Sequence, residues 1–328
     1  MVKLFIGVDI SKDWIDFATF DSINLKAVAG ERVKNDQKSI AKFLRTFKKE
    51  HPDLHVVFEH TGAYGLELAL TLEHFEITYS VVPAYEIQMS IGLKRGKNDV
   101  IDACRIAEYA CINSHKLKPF KLPSKILSKI KDLLTYRAQL TRIMAGLKNS
   151  LKAHKLNNKT SEMSFITKDI EKKIQAFDTD IDKIEKQVLD LIYSDPELNK
   201  NYGFITSVKG VGLIIAAYVI VSTGNFTLFT DPRKFNCYAG MAPFEHSSGS
   251  SIKGATKTSH LANKTLKTLL RNGAQSAMVY DPQLKKYKKR KLEEGKKPQV
   301  IANAVACKLV YRIFATVKRQ SNFILLAN

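Results

Sequence analysis

The first 120 residues alternate between short apolar runs and amphipathic stripes. Runs rich in Val and Ile, with a period of two, predict five strands, and apolar residues three and four positions apart predict two helices. In chain order the predicted elements are strands Leu4–Ile10, Trp14–Phe20 and Leu25–Ala29, helix Asn35–Glu50, strand Leu54–Glu59, helix Tyr64–Phe75 and strand Ile77–Val82.

This order of elements is that of the ribonuclease H fold: three meandering strands, then a helix, a strand, a helix and a strand. In that fold the first and fourth strands are neighbours, and ligands gather at the strand ends. We therefore expect an α/β domain with the ribonuclease H fold over residues 1–120.

The rest of the chain predicts mainly helices. Two charged, striped segments between Ser124 and Asp195 predict a long antiparallel pair or a coiled coil, which would act as a spacer or an oligomerisation segment without chemistry. We assign residues 121–200 to this helical linker and residues 201–328 to a mainly α C-terminal domain. A Gly-Val-Gly sequence at 210–212 resembles a helix-hairpin-helix that contacts a DNA phosphate, although Gly-x-Gly also serves as a plain helix connector.

Four carboxylates lie where the predicted elements end or begin. Asp9 closes the first strand and Glu59 the fourth, and Asp99 and Asp102 open a helix with both side chains on one face. Carboxylate oxygens suit Mg²⁺ or Mn²⁺, and paired ions stabilise the attacking and leaving oxygens of a phosphodiester. The structural alternatives are a turn residue at Asp9, a helix cap at Glu59 and a surface charge pair favoured by the helix dipole.

The overall positive charge of the chain indicates a polyanionic partner. Lys and Arg number 52 against 32 Asp and Glu, for a formal charge of +20, which favours nucleic acid, with an anionic membrane surface as the competitor. The apolar run Val211–Val221 is shorter than the roughly 20 residues of a membrane helix, and no signal peptide is expected. Four scattered cysteines without zinc spacing indicate reduced thiols in a cytoplasm.

Basic residues and serines mark further candidate contacts. A Ser/Gly-rich segment at 247–254 is either a flexible phosphate-contacting loop or the site of a nucleophilic serine, and composition does not choose between them. The basic run Lys285–Lys291 also favours nucleic-acid contact. The candidate nucleic-acid-binding residues are Lys94, Arg95, Lys97, Lys253, Lys257, Lys264 and Arg271.

Four motifs in order resemble the DEDD insertion-sequence transposases and the related pilin-gene invertases over essentially the whole chain. They are Gly7-Val8-Asp9-Ile10-Ser11-Lys12, Phe58-Glu59-His60-Thr61-Gly62, Lys97-Asn98-Asp99-Val100-Ile101-Asp102-Ala103, and Gly240-Met241-Ala242-Pro243 followed by Ser247-Ser248-Gly249. One position departs from the family pattern, because Ala262 stands before Asn263 where the family usually has glycine.

The resemblance implies a RuvC-like N-terminal domain whose metal-binding and catalytic residues are Asp9, Glu59, Asp99 and Asp102. It also implies a C-terminal serine that links covalently to DNA, carried here to Ser248, with Ser247 as the alternative. Implied partners are donor and target DNA, a bridging non-coding RNA, and further copies of the chain in a dimer to tetramer, with tetrad and serine coming from different subunits. The implied location is the prokaryotic cytoplasm and nucleoid.

The leading hypothesis is therefore a Mg²⁺-dependent DNA recombinase that uses a covalent serine intermediate, with no role at a membrane. One rival is a RuvC-like nuclease or resolvase in which metal-activated water attacks and the serine loop only binds. The other is a non-catalytic nucleic-acid scaffold, whose binding would depend on salt but not on Mg²⁺ or the four acids.

Overall fold

The computed structural model describes residues 4–21, 26–92, 96, 98–157, 164–248, 252–258 and 261–325. Within these ranges, the side chains at 91, 157, 164, 245–248 and 252–257 lie outside the description. The chain divides into two compact units, Met1–Leu122 (unit 1) and Pro123–Asn328 (unit 2). The three domains predicted from the sequence, 1–120, 121–200 and 201–328, stay a prediction.

Unit 1 contains a single five-stranded mixed sheet among its described residues. Its strands are β1 (Leu4–Ile10), β2 (Trp14–Asp21), β3 (Lys26–Lys34), β4 (Leu54–Glu59) and β5 (Thr78–Val82). The spatial order is β3-β2-β1-β4-β5, with β1, β2 and β3 antiparallel and with β4 parallel to both β1 and β5. The first and fourth strands are therefore neighbours, which confirms the mixed sheet predicted for a ribonuclease H fold.

Helices cover both faces of this sheet. They are α1 (Gln37–Glu50), α2 (Leu66–His74), α3 (Ala84–Ile91) and α4 (Asp99–Ile112). Apolar residues of β1, β2 and β4 on one face pack with α1 and α2, and the opposite face packs with α3 and α4. Helix α3 was not predicted, because Pro83 was interpreted only as the end of a strand, whereas it also stands at the N-cap of this helix.

Unit 2 is mostly helical. Its elements are α5 (Lys125–Asn157), α6 (Ser164–Tyr193), α7 (Pro196–Thr206), α8 (Leu213–Thr223), α9 (Pro232–Tyr238), the strands β6 (Pro243–Ser248) and β7 (Ile252–Thr258), α10 (Lys264–Tyr280), α11 (Pro282–Glu293) and α12 (Pro298–Arg319). Helices α7, α9 and α11 each begin with Asp at the N-cap and Pro at the first helical position, where the missing proline N–H costs no hydrogen bond.

The two long helices α5 and α6 run antiparallel. Arg137 pairs with Glu185 at 2.7 Å and Lys155 pairs with Glu171 at 2.7 Å, so later positions in α5 meet earlier positions in α6. Apolar residues of both helices also belong to the core cluster that contains α8 and α12. The segment therefore contributes to the packing of unit 2, and its predicted role in oligomerisation stays a prediction.

The most apolar helices of unit 2 lie in its core. Helix α12 is long and apolar enough to cross a membrane by composition, but a run of its residues from Ile301 to Val317 is buried against the rest of the unit. Helix α8 contains most of the apolar run Val211–Val221 and is also largely buried. Core packing therefore accounts for the apolar character of both segments.

Candidate active site

Strand β1 places Asp9 on the face of the sheet that α4 covers. Ile6, Val8 and Ile10 alternate with Asp9 and belong to the core on the side of α1 and α2, because successive side chains of a strand point to opposite faces. Asp9 is half-buried at the end of the strand. The predicted position of Asp9 at a strand end is therefore observed.

Glu59 ends β4 directly beside Asp9. Val8 and Phe58 are partners in the parallel β1–β4 ladder, so the two residues that follow them, Asp9 and Glu59, lie side by side at the carboxyl ends of adjacent strands. Equivalent positions of parallel strands point to the same face. Glu59 is therefore on the Asp9 side of the sheet.

Helix α4 approaches β1 closely because Gly7 has no side chain. A Cβ at Gly7 would overlap the backbone nitrogen of Ala107 and the backbone oxygen of Ala103. The helix begins at Asp99 and is capped by Asn98, whose side chain accepts a 2.7 Å hydrogen bond from the N–H of Ile101. Its first turn, with Asp99 and Asp102, thus lies over the end of β1 as the sequence predicts.

The environment of Asp9 shows that the four carboxylates converge. The pKa of Asp9 is raised from 3.8 to about 6, first by burial and then by the negative charges of Asp102, Asp99, Glu59 and Asp16. Burial and neighbouring anions both disfavour the ionised carboxyl. The structure therefore brings together all four acids predicted from the sequence, and it adds a fifth.

That fifth acid, Asp16, belongs to a row across three strands that the sequence did not reveal. Asp9 is the ladder partner of Asp16, and Asp16 is the ladder partner of Arg32. Asp16 is only 3% exposed and binds the Arg32 guanidinium at 2.8 to 3.1 Å through both carboxylate oxygens. The same guanidinium donates a 2.8 Å hydrogen bond to Asp99. Arg32 thus links the sheet to the first turn of α4.

Sequence signals for these two residues exist but are weak. Asp16 is a carboxylate inside an otherwise apolar strand, which by alternation puts it on the opposite face from Ile15 and Phe17. Arg32 was missed because the third strand was predicted to end at Ala29, whereas β3 continues to Lys34. Only the pairing of β2 with β3 reveals that Arg32 lies opposite Asp16.

The carboxylate oxygens of this cluster are the type of ligand that binds a divalent cation such as Mg²⁺. Asp102, Asp99, Glu59 and Asp16 lie close enough to Asp9 for their negative charges to raise its pKa, and a bound cation would relieve that repulsion. Asp99 is bound by Arg32, and Asp102 accepts a 2.9 Å hydrogen bond from Arg105. In the part of the chain that the structure describes, no three His, Cys, Asp or Glu side chains are grouped as one metal ion requires. Arg32 and Arg105 therefore hold the two α4 carboxylates that the sequence predicts as metal ligands.

The predicted serines lie at the end of a β-hairpin rather than in a loop without regular structure. Ser247 pairs with Lys253 and Ser248 pairs with Ile252, so both serines belong to the last residues of β6. The mostly polar composition of 247–254 suggested only a loop, because the pairing of its two sides is not visible in composition. The side chains of both serines lie outside the described residues.

Of the predicted nucleic-acid-binding residues, two have described side chains, Lys264 and Arg271. Lys264, Lys267 and Arg271 lie three and four positions apart on α10, and Lys267 donates a 2.7 Å hydrogen bond to Thr258 of β7. Lys264 and Arg271 were predicted to bind nucleic acid, and Lys267 lies between them on the same face of α10. The structure does not describe the side chains of the other residues predicted to bind nucleic acid, which are Lys94, Arg95, Lys97, Lys253 and Lys257.

Two glycines of unit 2 are explained by packing. Gly210, with a φ of +91°, lies against Gly273 and Ala277 of α10, where a Cβ would overlap their atoms. Gly240, with a φ of +66°, lies against the methyl group of Ala262, so the alanine at the family's usual glycine position is accommodated here. The phosphate contact predicted for the Gly-Val-Gly turn stays a prediction.

Comparison with protein families gives two matches, one covering unit 1 and the first long helix of unit 2 and the other lying within unit 2. Residues 6–156 match a model of the DEDD domain of IS110 elements, described as a transposase, and residues 202–289 match a model described as the transposase IS116/IS110/IS902 family. Together they match well over half of the chain. The chain belongs to the IS110-type transposases. As a member of this family, it is a DNA transposase or recombinase.

Relatives of this transposase include proteins that match it along its whole length. The pilin gene-inverting protein of Moraxella lacunata is 25% identical over 98% of both chains. A probable family 20 transposase of Pseudomonas aeruginosa is 24% identical over 48% of this chain and 46% of its own. Among solved structures, RuvC of T. thermophilus in complex with a Holliday junction substrate aligns with 36% of this chain and all of its own, at 12% identity and a TM-score of 0.30.

Proposed function

We propose that this transposase cleaves and rejoins DNA through a covalent serine intermediate and requires a divalent metal held by Asp9, Glu59, Asp99 and Asp102. The observation that supports the metal site is the proximity of Glu59, Asp99 and Asp102 to Asp9, whose pKa is raised to about 6 first by burial and then by these negative charges. Mg²⁺, or Mn²⁺ in its place, would supply a Lewis acid that orients the scissile phosphate and offsets the developing negative charge.

Ser248 is the proposed nucleophile, and its position supports the role. It is the last residue of β6 and precedes Gly249 in the sequence, with Ser247 as the alternative. The Oγ–H bond breaks as the Oγ–P bond forms, and the deoxyribose oxygen that leaves the phosphorus takes up a proton. A DNA hydroxyl then attacks the phosphoserine, which restores the serine and a phosphodiester without an external energy source.

Nucleic acids are the proposed partners. A formal charge of +20 and the cationic face of α10 support binding to donor and target DNA and to a bridging RNA. The family resemblance further supports a dimer to tetramer in which the acids and the serine come from different subunits.

The test is a search for a denaturation-resistant protein–DNA adduct. Purified full-length protein is incubated with Mg²⁺, RNA from the flanks of the element and labelled DNA. We expect an adduct with the wild type, none with Ser248→Ala, and wild-type levels with Ser247→Ala and with the matched control Ser250→Ala, two residues further along the sequence. Asp99→Ala should also abolish the adduct.

Each other outcome selects a different function. Loss of the adduct only with Ser247→Ala or Ser250→Ala would move the nucleophile to that residue. Metal-dependent cleavage without any adduct would overturn the covalent mechanism and establish the rival nuclease that uses activated water. An adduct that survives Asp99→Ala would remove the acids from the mechanism.

A further inference from the structure

A groove between α11 and α12 concentrates positive charge. It encloses about 1000 Å³, and its lining includes Lys286, Lys289 and Arg290 of α11 with Lys308 and Arg312 of α12. Three of these residues are three and four positions apart and share one face of α11. The sequence contains the basic run of α11, but only the fold shows that cations of α12 line the same groove.

Internal acids neutralise only part of this charge. Asp281 binds Arg312 at 2.7 Å, and Glu294 binds Lys291 at 2.6 Å and Arg290 at 3.7 Å. Glu293 also lines the groove, but across the described ranges no carboxylate comes within ion-pair distance of Lys286, Lys289 or Lys308. Three exposed ammonium groups thus line one groove without a partner anion among those residues.

An aromatic ring at the base of the groove holds the cations near one another. The ring of Tyr287 has Lys308 at 5.0 Å, Arg290 at 5.6 Å and Lys291 at 5.9 Å from its centroid. Each cation is attracted to the ring face, which offsets part of their mutual repulsion. The tertiary structure therefore holds these cations of two helices close together in the absence of a ligand. Lysines on a solvated face of one helix have no such common contact.

We propose that the groove between α11 and α12 binds the phosphodiester backbone of a nucleic acid. Regularly spaced anions match cations spaced along two helices, and release of their counterions supplies binding energy. The proposal rests on the proposed function only in taking nucleic acid as the partner. It adds a contact that is separate from the acidic cluster, the serine hairpin and the cationic face of α10.

The test compares two triple variants with the same loss of charge. One is Lys286→Gln/Lys289→Gln/Lys308→Gln, and its control is Lys168→Gln/Lys172→Gln/Lys186→Gln, which removes three exposed lysines of α6. Fluorescence anisotropy measures the binding of labelled duplex DNA and of single-stranded RNA at several salt concentrations. Circular dichroism checks that both variants are folded.

Each phosphate contact contributes about −0.9 to the slope of log K against log salt for duplex DNA and about −0.7 for single strands. We therefore expect the groove variant to have a slope shallower than wild type by roughly 2 to 3 on at least one nucleic acid, while the control retains the wild-type slope. A change on DNA alone or on RNA alone identifies which backbone occupies the groove.

Two outcomes would overturn the proposal. One is a groove variant whose slopes equal those of the α6 control on both nucleic acids. The other is unchanged nucleic-acid binding together with lost binding to vesicles that contain anionic lipid, which would assign the groove to a membrane. A Ser248→Ala protein that loses the adduct should keep the wild-type slope, so failure of the groove and failure of the proposed chemistry give different results.

Discussion

At the scale of single residues, Arg32 makes contacts with the acidic cluster that the sequence did not predict. Its guanidinium binds the buried carboxylate of Asp16 and reaches Asp99 in the same row. A planar guanidinium with several fixed donors can hold two carboxylates in one geometry. Arg32 is therefore a positioning residue for Asp99.

Replacement of Arg32 with alanine should weaken binding of Mn²⁺ by roughly 10- to 100-fold, the usual effect of losing a contact that orients a metal ligand. It should also lower the melting temperature, because Asp16 would remain buried without its partner. Calorimetric titration with Mn²⁺ and thermal unfolding measure the two effects. The control is Lys34→Ala, two residues along the same strand.

The double variant Asp16→Asn/Arg32→Ala separates positioning from stability. It should regain most of the melting temperature, since the buried charge is gone, but not the Mn²⁺ affinity. If Arg32→Ala leaves Mn²⁺ affinity unchanged or raises it, Arg32 does not position Asp99 for a metal.

Asp9 gives the protein a pH-dependent stability of unusual sign. The folded-state pKa of about 6 exceeds the ordinary value of 3.8, so the folded state holds this proton more tightly than the unfolded chain. The carboxylate therefore costs stability progressively as the pH rises from about 4 to about 6, and the full cost is present above pH 6.

The variant Asp9→Asn should consequently melt at a higher temperature than wild type at pH 7.5 in the presence of EDTA. The difference should shrink at pH 4.5, where most of the Asp9 carboxyl is protonated, and Mg²⁺ should raise the wild-type melting temperature more than that of the variant. The exposed Asp53→Asn serves as control. The same difference at both pH values would show that the charge of Asp9 is not its cause.

At the scale of elements, the sequence predicts the strands of unit 1 well and the hairpin of unit 2 poorly. Strands β1 and β4 have the predicted bounds, because each is a short apolar run closed by a turn or a carboxylate. The β6–β7 hairpin is polar and serine-rich, so no apolar period identifies it. The local hydrophobic pattern of the sequence places each of the four predicted acids at the beginning or end of an element. The contact between Asp16 and Arg32 depends instead on the register of neighbouring strands, which a local pattern does not specify.

The variant Gly7→Ala should displace α4, because its methyl group would overlap the backbone of Ala103 and Ala107. We expect a loss of about 1–3 kcal/mol of unfolding free energy, typical of overpacking, together with loss of strand cleavage as Asp99 and Asp102 move from Asp9. Chemical denaturation and the adduct assay measure these effects.

Gly203→Ala in α7 is the matched control for this substitution. No atom lies within 4 Å of the position its Cβ would take, so it should stabilise the protein by about 0.4–1 kcal/mol and leave cleavage intact. A stable and active Gly7→Ala protein would show that α4 does not depend on this contact.

At the scale of the whole molecule, the acids and the serines belong to different units. Asp9, Glu59, Asp99 and Asp102 lie in Met1–Leu122, and Ser247 and Ser248 lie in Pro123–Asn328. The family resemblance implies that one complete site combines parts of two subunits. Sequence alone supports this only by analogy, because the apolar stripes of α5 and α6 are also used within the core of a single chain.

A mixture of two inactive variants tests this arrangement. Asp99→Ala and Ser248→Ala should each form no adduct, but their mixed oligomers should form one, because each chain supplies the group that the other lacks. The adduct should be found only on the Asp99→Ala chain, which can be made longer by a tag and identified by its size. No adduct in the mixture, with an active wild type mixed in the same way, would show that both groups must come from one chain.

The contact of Gly7 with α4 also has an evolutionary consequence. Because backbone meets backbone there, the spacing of β1 and α4 is set by the two main chains, and any side chain at residue 7 would change it. We therefore expect relatives with this fold to retain glycine at this position while exposed residues of α4 vary, because exposed side chains take no part in the contact.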